Sequence, residues 1–242
     1  MSKMSRTEIY GHRGASHYAP ENTIPAFQLA IEQGADGVEL DVQLTADGQV
    51  VVIHDETIDR VSNGKGFVKS YTLEELRKYS FHNQMEQFGH VDIPTLEEVL
   101  NLLKPTEMKV NIELKTGIFW YPEIEEKTLE IVKNAGMEDR VIYSSFNHYS
   151  VKRVKELNPE ARTAFLFSDV ILHVDKYAKR TCTDGLHPAL YHVKMSNFLQ
   201  EYVESGLDVR VWTVNEEEDM KMLMEAGVTA IITNKPDVAR AL

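Results

Sequence analysis

The chain has 242 residues, 43% of them hydrophobic, which is enough for one large barrel or two small domains with a sizeable core. A formal net charge of −12 argues against nucleic acid as a partner, because a phosphate backbone calls for basic surface. Cys182 is the single cysteine, so no intrachain disulfide can form, and no run approaches the roughly 18 apolar residues of a membrane span. In chain order, the opening "MSKMSRTEIYGHRG" has no apolar h-region. The expectation is a cytoplasmic protein without stable membrane insertion. The sequence carries no signal of oligomeric state.

Short β-type runs then alternate with helical patterns. The strand runs start near Ile9, Gly37, Lys109, Val141, Arg162, Gly185, Val209 and Ala230. After the first comes "NTIPAFQLAIEQG", with an Asn/Thr cap region, an early Pro25 and a closing Gly34. "TLEEVLNLLK" has Thr95 and Glu98 spaced as a capping box. "YPEIEEKTLEIVKNAG", "NHYSVKRVKELN", "HVKMSNFLQEYVESG" and "NEEEDMKMLMEAG" follow the same grammar, several closing on Gly or Asn. Eight strand–helix units predict an α/β fold, a (β/α)8 TIM barrel in one domain over 1–242. A doubly wound open sheet is the alternative.

Residues 42–94 break the alternation, being too long for an ordinary βα loop. They open with "TADGQ", where Asp47-Gly48 is a hairpin signal, and continue as turns plus one short helix. They read as a small insertion after the second strand, on the face where barrel enzymes keep their catalytic loops.

The chemistry gathers on that face. Glu39 and Asp41 lie two apart in "VELDVQL" and so share a sheet face. A two-residue hairpin loop at Asp47-Gly48 would set Ala46 against Gln49 and Asp41 against His54, bringing His54 to the same face unless a bulge slips the register. "KVNIELKTG" puts Glu113 and Lys115 on one face of the next strand, with Asn111 below them. Three carboxylates that close require a cation, and an all-oxygen set suits a hard divalent ion, Mg²⁺ or Ca²⁺. In "GHRGAS", glycines flank His12, a titratable base, and Arg13, a planar fork suited to phosphate. Taken singly, each of these has an ordinary structural reading: a salt-bridged acid, a packed histidine, a turn. The Met220, Met222 and Met224 cluster reads as core and helix surface. Trp212 in "DVRVWTVN" is expected at the barrel mouth, and Phe119-Trp120 follow Lys115 in a loop; core packing is the alternative for all three.

At these residues the sequence resembles the glycerophosphodiester phosphodiesterase family. The motifs that carry the likeness are "GHRGASHYAPENT", "GADGVELDVQLTADGQVVVIHD", "IPTLEEVL", "NIELK", "SSF" and "AGVTAIITNKP", between residues 11 and 236. The resemblance implies metal-dependent hydrolysis of a small-molecule glycerophosphodiester to an alcohol and sn-glycerol 3-phosphate. It implies metal ligands at Glu39, Asp41 and Glu113 and a catalytic pair at His12 and His54, with His12 as base and His54 as acid. Arg13 and Lys115 become the phosphate-side cations, and Trp212 a wall for glycerol. The family picture has the substrate's 2-hydroxyl attack phosphorus, giving a cyclic phosphate that water opens. A phospholipase C-like enzyme, a glycoside hydrolase and a non-catalytic binder are weaker readings. The first calls for a lipid-facing rim, the second leaves Arg13 and Lys115 unexplained, and the third ordinarily lacks an acid or a histidine that is present here.

Overall fold

The computed structural model describes residues 6–242. Among the described residues there are nine strands: β1 Glu8–His12, β2 Gly37–Leu44, β3 Val50–Val52, β4 Lys109–Leu114, β5 Val141–Ser145, β6 Arg162–Phe167, β7 Gly185–Pro188, β8 Asp208–Val211 and β9 Ala230–Thr233. The sheet runs β1-β9-β8-β7-β6-β5-β4-β2-β3, and β1 also pairs with β2, so eight parallel strands close into a barrel. Closure excludes the doubly wound sheet, whose edges stay open. The eight barrel strands begin within a residue of the positions read from sequence. β3 is the extra one, antiparallel to β2.

Every residue of β2 is buried, as a parallel strand covered on both faces should be. Its outward side chains Val38, Leu40 and Val42 pack on helices α1 (Ile24–Glu32) and α3 (Leu96–Leu103). The capping box at the start of α3 forms, with Thr95 Oγ1 accepting from Glu98 N and Glu98 reaching back to Thr95 N. Between α1 and α3 lies α2, Leu73–Leu76. Beyond α3 come α4 (Ile124–Ala135), α5 (His148–Leu157), α6 (Val174–Arg180), α7 (Leu190–Val193), α8 (Phe198–Glu204), α9 (Glu217–Ala226) and α10 (Pro236–Arg240). Two details depart from the sequence reading. "HVKMSNFLQEYVESG" does not form one helix: α7 and α8 are separated, with Ser196 in a left-handed conformation between them. The short α6 and α10 lacked the length to show a helical period. Met220 is buried in a hydrophobic core with Val209, Val211, Leu223 and Ile231, and Met222 and Met224 pack against that core.

The insertion builds a small core of its own from Val51, Ile53, Ile58, Leu76, Phe81 and Ile93, among others. The expected hairpin register is wrong by one residue. Val42 pairs with Val52, Gln43 with Val51 and Leu44 with Val50, so Thr45 faces Gln49 across a three-residue loop. Gly48 takes φ +75°, the left-handed position such a loop needs. Ile53, not His54, donates its N–H to Asp41 O, at 2.9 Å. No helix among the described residues is long and apolar enough to cross a membrane.

Candidate active site

β1, β2 and β4 present the site's acids in two rungs. His12, Glu39 and Asn111 share one; Asp41 and Glu113 share the next, with Ser144 of β5 beside them. Alternation along the strands turns all of these toward the barrel axis. Glu39, Asp41 and Glu113 are each 7% exposed or less, and each offers a carboxylate oxygen within 4.8 Å of the other two.

The charges around these acids decide which of them stays ionised. Burial works to raise Asp41, yet Arg13 beside it, with His54 and Lys115, holds it down at about 2. Burial and the Asp41 charge push Glu113 up to about 7 and Glu39 well above the ordinary carboxylate range. The cluster does not carry three charges by itself. Asp41 Oδ1 and Asn111 Oδ1 are buried acceptors without a hydrogen-bond partner, and Asn111 Nδ2 is a buried donor without one. The site therefore holds oxygens that a bound cation would satisfy and an N–H group that a substrate oxygen would. Oxygen-only donors at this spacing fit a hard divalent cation.

Arg13 sits in the turn after β1 with φ +55°. Its N–H donates to Glu39 Oε2 at 3.0 Å, its Nη1 to Glu21 Oε1 at 2.8 Å, and its Nε lies 3.4 Å from Asp41 Oδ2. Lys115 Nζ is 2.9 Å from Glu113 Oε1. The turn is pinned by Gly14 at φ +82°, where a Cβ would stand 2.6 Å from the backbone carbon of Ala26 in α1. Gly14→Ala is therefore expected to cost more than about 1 kcal/mol, read as a lowered denaturant midpoint at unchanged m. It is also expected to lower activity by displacing Arg13. Wild-type stability in that variant would show that the turn tolerates a side chain.

The two histidines are held differently. His12 Nδ1 lies 2.7 Å from Asn234 Oδ1, and its Nε2 is 3.9 Å from Glu39 Oε2. Burial, then the Arg13 charge, pushes His12 down to about 4. His54 Nδ1 donates to Asp55 Oδ1 at 2.6 Å. It reaches the site although the register argument fails: β3 stops at Val52, and His54 stands in the bend that follows, off the ladder. Gln43 Nε2 fixes that bend through the carbonyls of Ile53, His54 and Asp55 at 3.2, 2.9 and 2.8 Å.

A cleft of about 320 Å³ opens among these groups. His12, Arg13, Glu39, His54, Asn111 and Glu113 form most of its polar side; Phe146, Leu166, Trp212 and Ile232 form much of the apolar side. Trp212 donates Nε1–H to His187 O at 2.7 Å and meets Phe146 edge-on at 5.5 Å. Phe119 does not line the cleft. It packs edge-on against Phe67 with Lys69 Nζ over its ring, while Trp120 is exposed.

Sequence reasoning missed Asn22, whose Nδ2 donates to Asp41 Oδ2 at 2.8 Å, and Asn234, Glu21, Asp55 and Arg60. Several sit inside quoted motifs ("PENT", "HD", "TNKP"), and that adjacency was the only available signal.

A closed parallel barrel that gathers carboxylates, histidines and cations round a cleft at its strand ends defines an enzyme of the (β/α)8 class, one suited to an anionic substrate. The chain belongs to the glycerophosphoryl diester phosphodiesterase family, whose model matches residues 12–238, and it is a phosphoric diester hydrolase. A glycerophosphodiester phosphodiesterase of Caldanaerobacter subterraneus is 45% identical over 233 residues, covering 96% of each chain. Another, from Bacillus altitudinis, is 44% identical over 240 residues, again 96% of each. Among solved structures, a phosphodiesterase of Oleispira antarctica in complex with the product sn-glycerol-3-phosphate superposes with a TM-score of 0.91 at 27% identity, covering 98% of this chain and 96% of that one. A glycerophosphodiester phosphodiesterase of Agrobacterium tumefaciens gives 0.85 at 28%, covering 98% and 100%.

Proposed function

We propose that the chain hydrolyses glycerophosphodiesters to an alcohol and sn-glycerol 3-phosphate, in the cytoplasm, with Mg²⁺ or Ca²⁺ held by Glu39, Asp41 and Glu113. The observation that carries this reading is the meeting, at one cleft, of Glu39, Glu113, Arg13 and two histidines, with Asp41 beneath them within 4.8 Å of both acids and Lys115 paired to Glu113. The product bound to the Oleispira relative supports the same substrate class.

When bound, the cation would offset charge on the phosphoryl oxygens. Arg13 and Lys115 add positive charge beside the same group. With Asn234 Oδ1 as acceptor, His12 Nδ1 carries the ring proton and Nε2 keeps a lone pair. His12 then takes the proton of the substrate's 2-hydroxyl as that oxygen bonds to phosphorus. His54, its Nδ1–H fixed on Asp55, gives a proton from Nε2 to the departing alcohol oxygen as the P–O bond breaks. Water reopens the cyclic phosphate with the roles exchanged: His54 takes a proton from water and His12 returns one to the 2-oxygen. Trp212 and Phe146 supply an apolar wall for carbon-bound hydrogens of the substrate.

The test is a substrate panel of glycerophosphocholine, glycerophosphoethanolamine, glycerophosphoglycerol and lysophospholipids, each with Mg²⁺, Ca²⁺ or EDTA. The expected products of glycerophosphocholine are choline and glycerol 3-phosphate. Release of glycerol and phosphocholine would place the cut on the other ester bond and overturn this reading.

A further inference from the structure

We propose that Arg60, unused in the scheme above, is a positioning residue that holds His54 and Arg13 in one frame by bridging the carboxylate on each; the inference rests on the roles proposed for those two residues. Arg60 Nε is 2.7 Å from Asp55 Oδ2, and its Nη2 is 3.1 Å from Asp55 Oδ1. On its other edge, Nη1 is 2.7 Å from Glu21 Oε2, and Nη2 is 2.8 Å from Glu21 Oε1. Two carboxylates thus grip one guanidinium, each through two N–H groups. Asp55 continues to His54 Nδ1, and Glu21 continues to Arg13 Nη1. The chain of contacts runs His54–Asp55–Arg60–Glu21–Arg13 and ends beside Asp41.

The path joins two segments that reach the mouth separately. Glu21 and Arg13 lie between β1 and α1; Asp55 and Arg60 lie in the insertion after β3. Neither of the groups it holds has a ladder to hold it, since His54 follows a strand that stops at Val52 and Arg13 sits in a left-handed turn. Exposed ion pairs ordinarily contribute little, but paired forks in a network are the exception. Here the Glu21 side chain is only 12% exposed, and the half-open member is Arg60 itself at 43%. Without Arg60, two carboxylates would face each other with no cation between them. Lysine keeps the charge but is a compact point charge, and cannot present a planar fork to both partners at once.

The experiment uses the full chain with saturating Mg²⁺. It compares Arg60→Met and Arg60→Lys with wild type, each with and without His54→Ala. The substrates are glycerophosphocholine and a p-nitrophenyl diester of glycerol 3-phosphate, with Tm measured alongside. Arg60→Met is expected to lower kcat on glycerophosphocholine roughly 10–100-fold, the usual range for a partner one step removed from the chemistry. The loss is expected to be smaller on the p-nitrophenyl diester, which asks less of His54, and smaller again in the His54→Ala background, because linked residues are not additive. Arg60→Lys is expected not to restore the rate. Unchanged kcat in Arg60→Met, full activity in Arg60→Lys, or an equal loss on both substrates and backgrounds that tracks a lowered Tm would each overturn the inference. Wild-type kcat in His54→Ala would overturn the acid assignment together with it. An impaired His54→Ala beside an unimpaired Arg60→Met would overturn the positioning role alone.

Discussion

Dialysis against EDTA is expected to abolish turnover, and Mg²⁺ or Ca²⁺ to restore it. Glu39, Asp41 and Glu113 are buried together, and only Asp41, beside Arg13, is held below the ordinary carboxylate range. A divalent cation offsets the burial and the Asp41 charge that push the other two up, so its binding would draw on three carboxylates at once. Glu39→Ala, Asp41→Ala and Glu113→Ala should each weaken metal binding by more than the roughly 10–100-fold that loss of an outer-sphere partner brings. Isothermal titration with Mg²⁺ reads this directly. Thermal unfolding gives a second reading: at 100 times Kd the cation should stabilise wild type by about 2.7 kcal/mol, and the three variants should show little of that gain at the same concentration. Asp41→Ala should suffer most, because it also strands Asn22 Nδ2 and leaves Arg13 Nε without its nearest carboxylate. Full turnover in excess EDTA after dialysis would remove the metal from the mechanism, whatever the acids then do.

The barrel was legible because its signals are local. Eight apolar runs with buried outward faces, the Thr95–Glu98 box of α3 and the glycines that close α4 and α9 are each contained in a dozen residues or fewer. Glu39 and Asp41 were legible for the same reason, since spacing by two on a strand fixes a common face. The hairpin register was not. Two- and three-residue loops fit "TADGQ" equally well, and the choice is influenced by partners outside it: Asp47 Oδ1 accepts from Leu73 N at 3.2 Å, and Ala46 N donates to Tyr71 O at 2.8 Å. His54 was placed at the site by an argument that fails, and it arrives there because the strand ends early. The Arg60 bridge to Glu21 spans 39 residues of sequence, and His12 finds Asn234 across 222. Pairings of that range leave no period to read. The second is settled by closure of the barrel, which brings β9 beside β1, and the first by the insertion folding back onto the loop between β1 and α1.

His12→Ala and His54→Ala are each expected to lower kcat roughly 10²–10⁴-fold, the contribution of one positioned proton-transfer group, while metal and substrate still bind. The partners of the two rings suggest how to separate them. His12 rests on an amide oxygen, which leaves Nε2 as acceptor in the neutral ring. His54 rests on a carboxylate, which can offset the charge of a ring that carries both protons. If His54 protonates the departing oxygen, a leaving group that departs unprotonated should bypass it. On a p-nitrophenyl diester of glycerol 3-phosphate, whose phenolate is already stable, His54→Ala should recover much of its rate. His12→Ala should stay slow, because the attacking hydroxyl still has to lose its proton. The reverse pattern would exchange the two assignments. An equal loss on both substrates would mean that neither ring acts as a simple leaving-group acid, and the departing oxygen would then have to be charge-stabilised by the cation or by Lys115 instead.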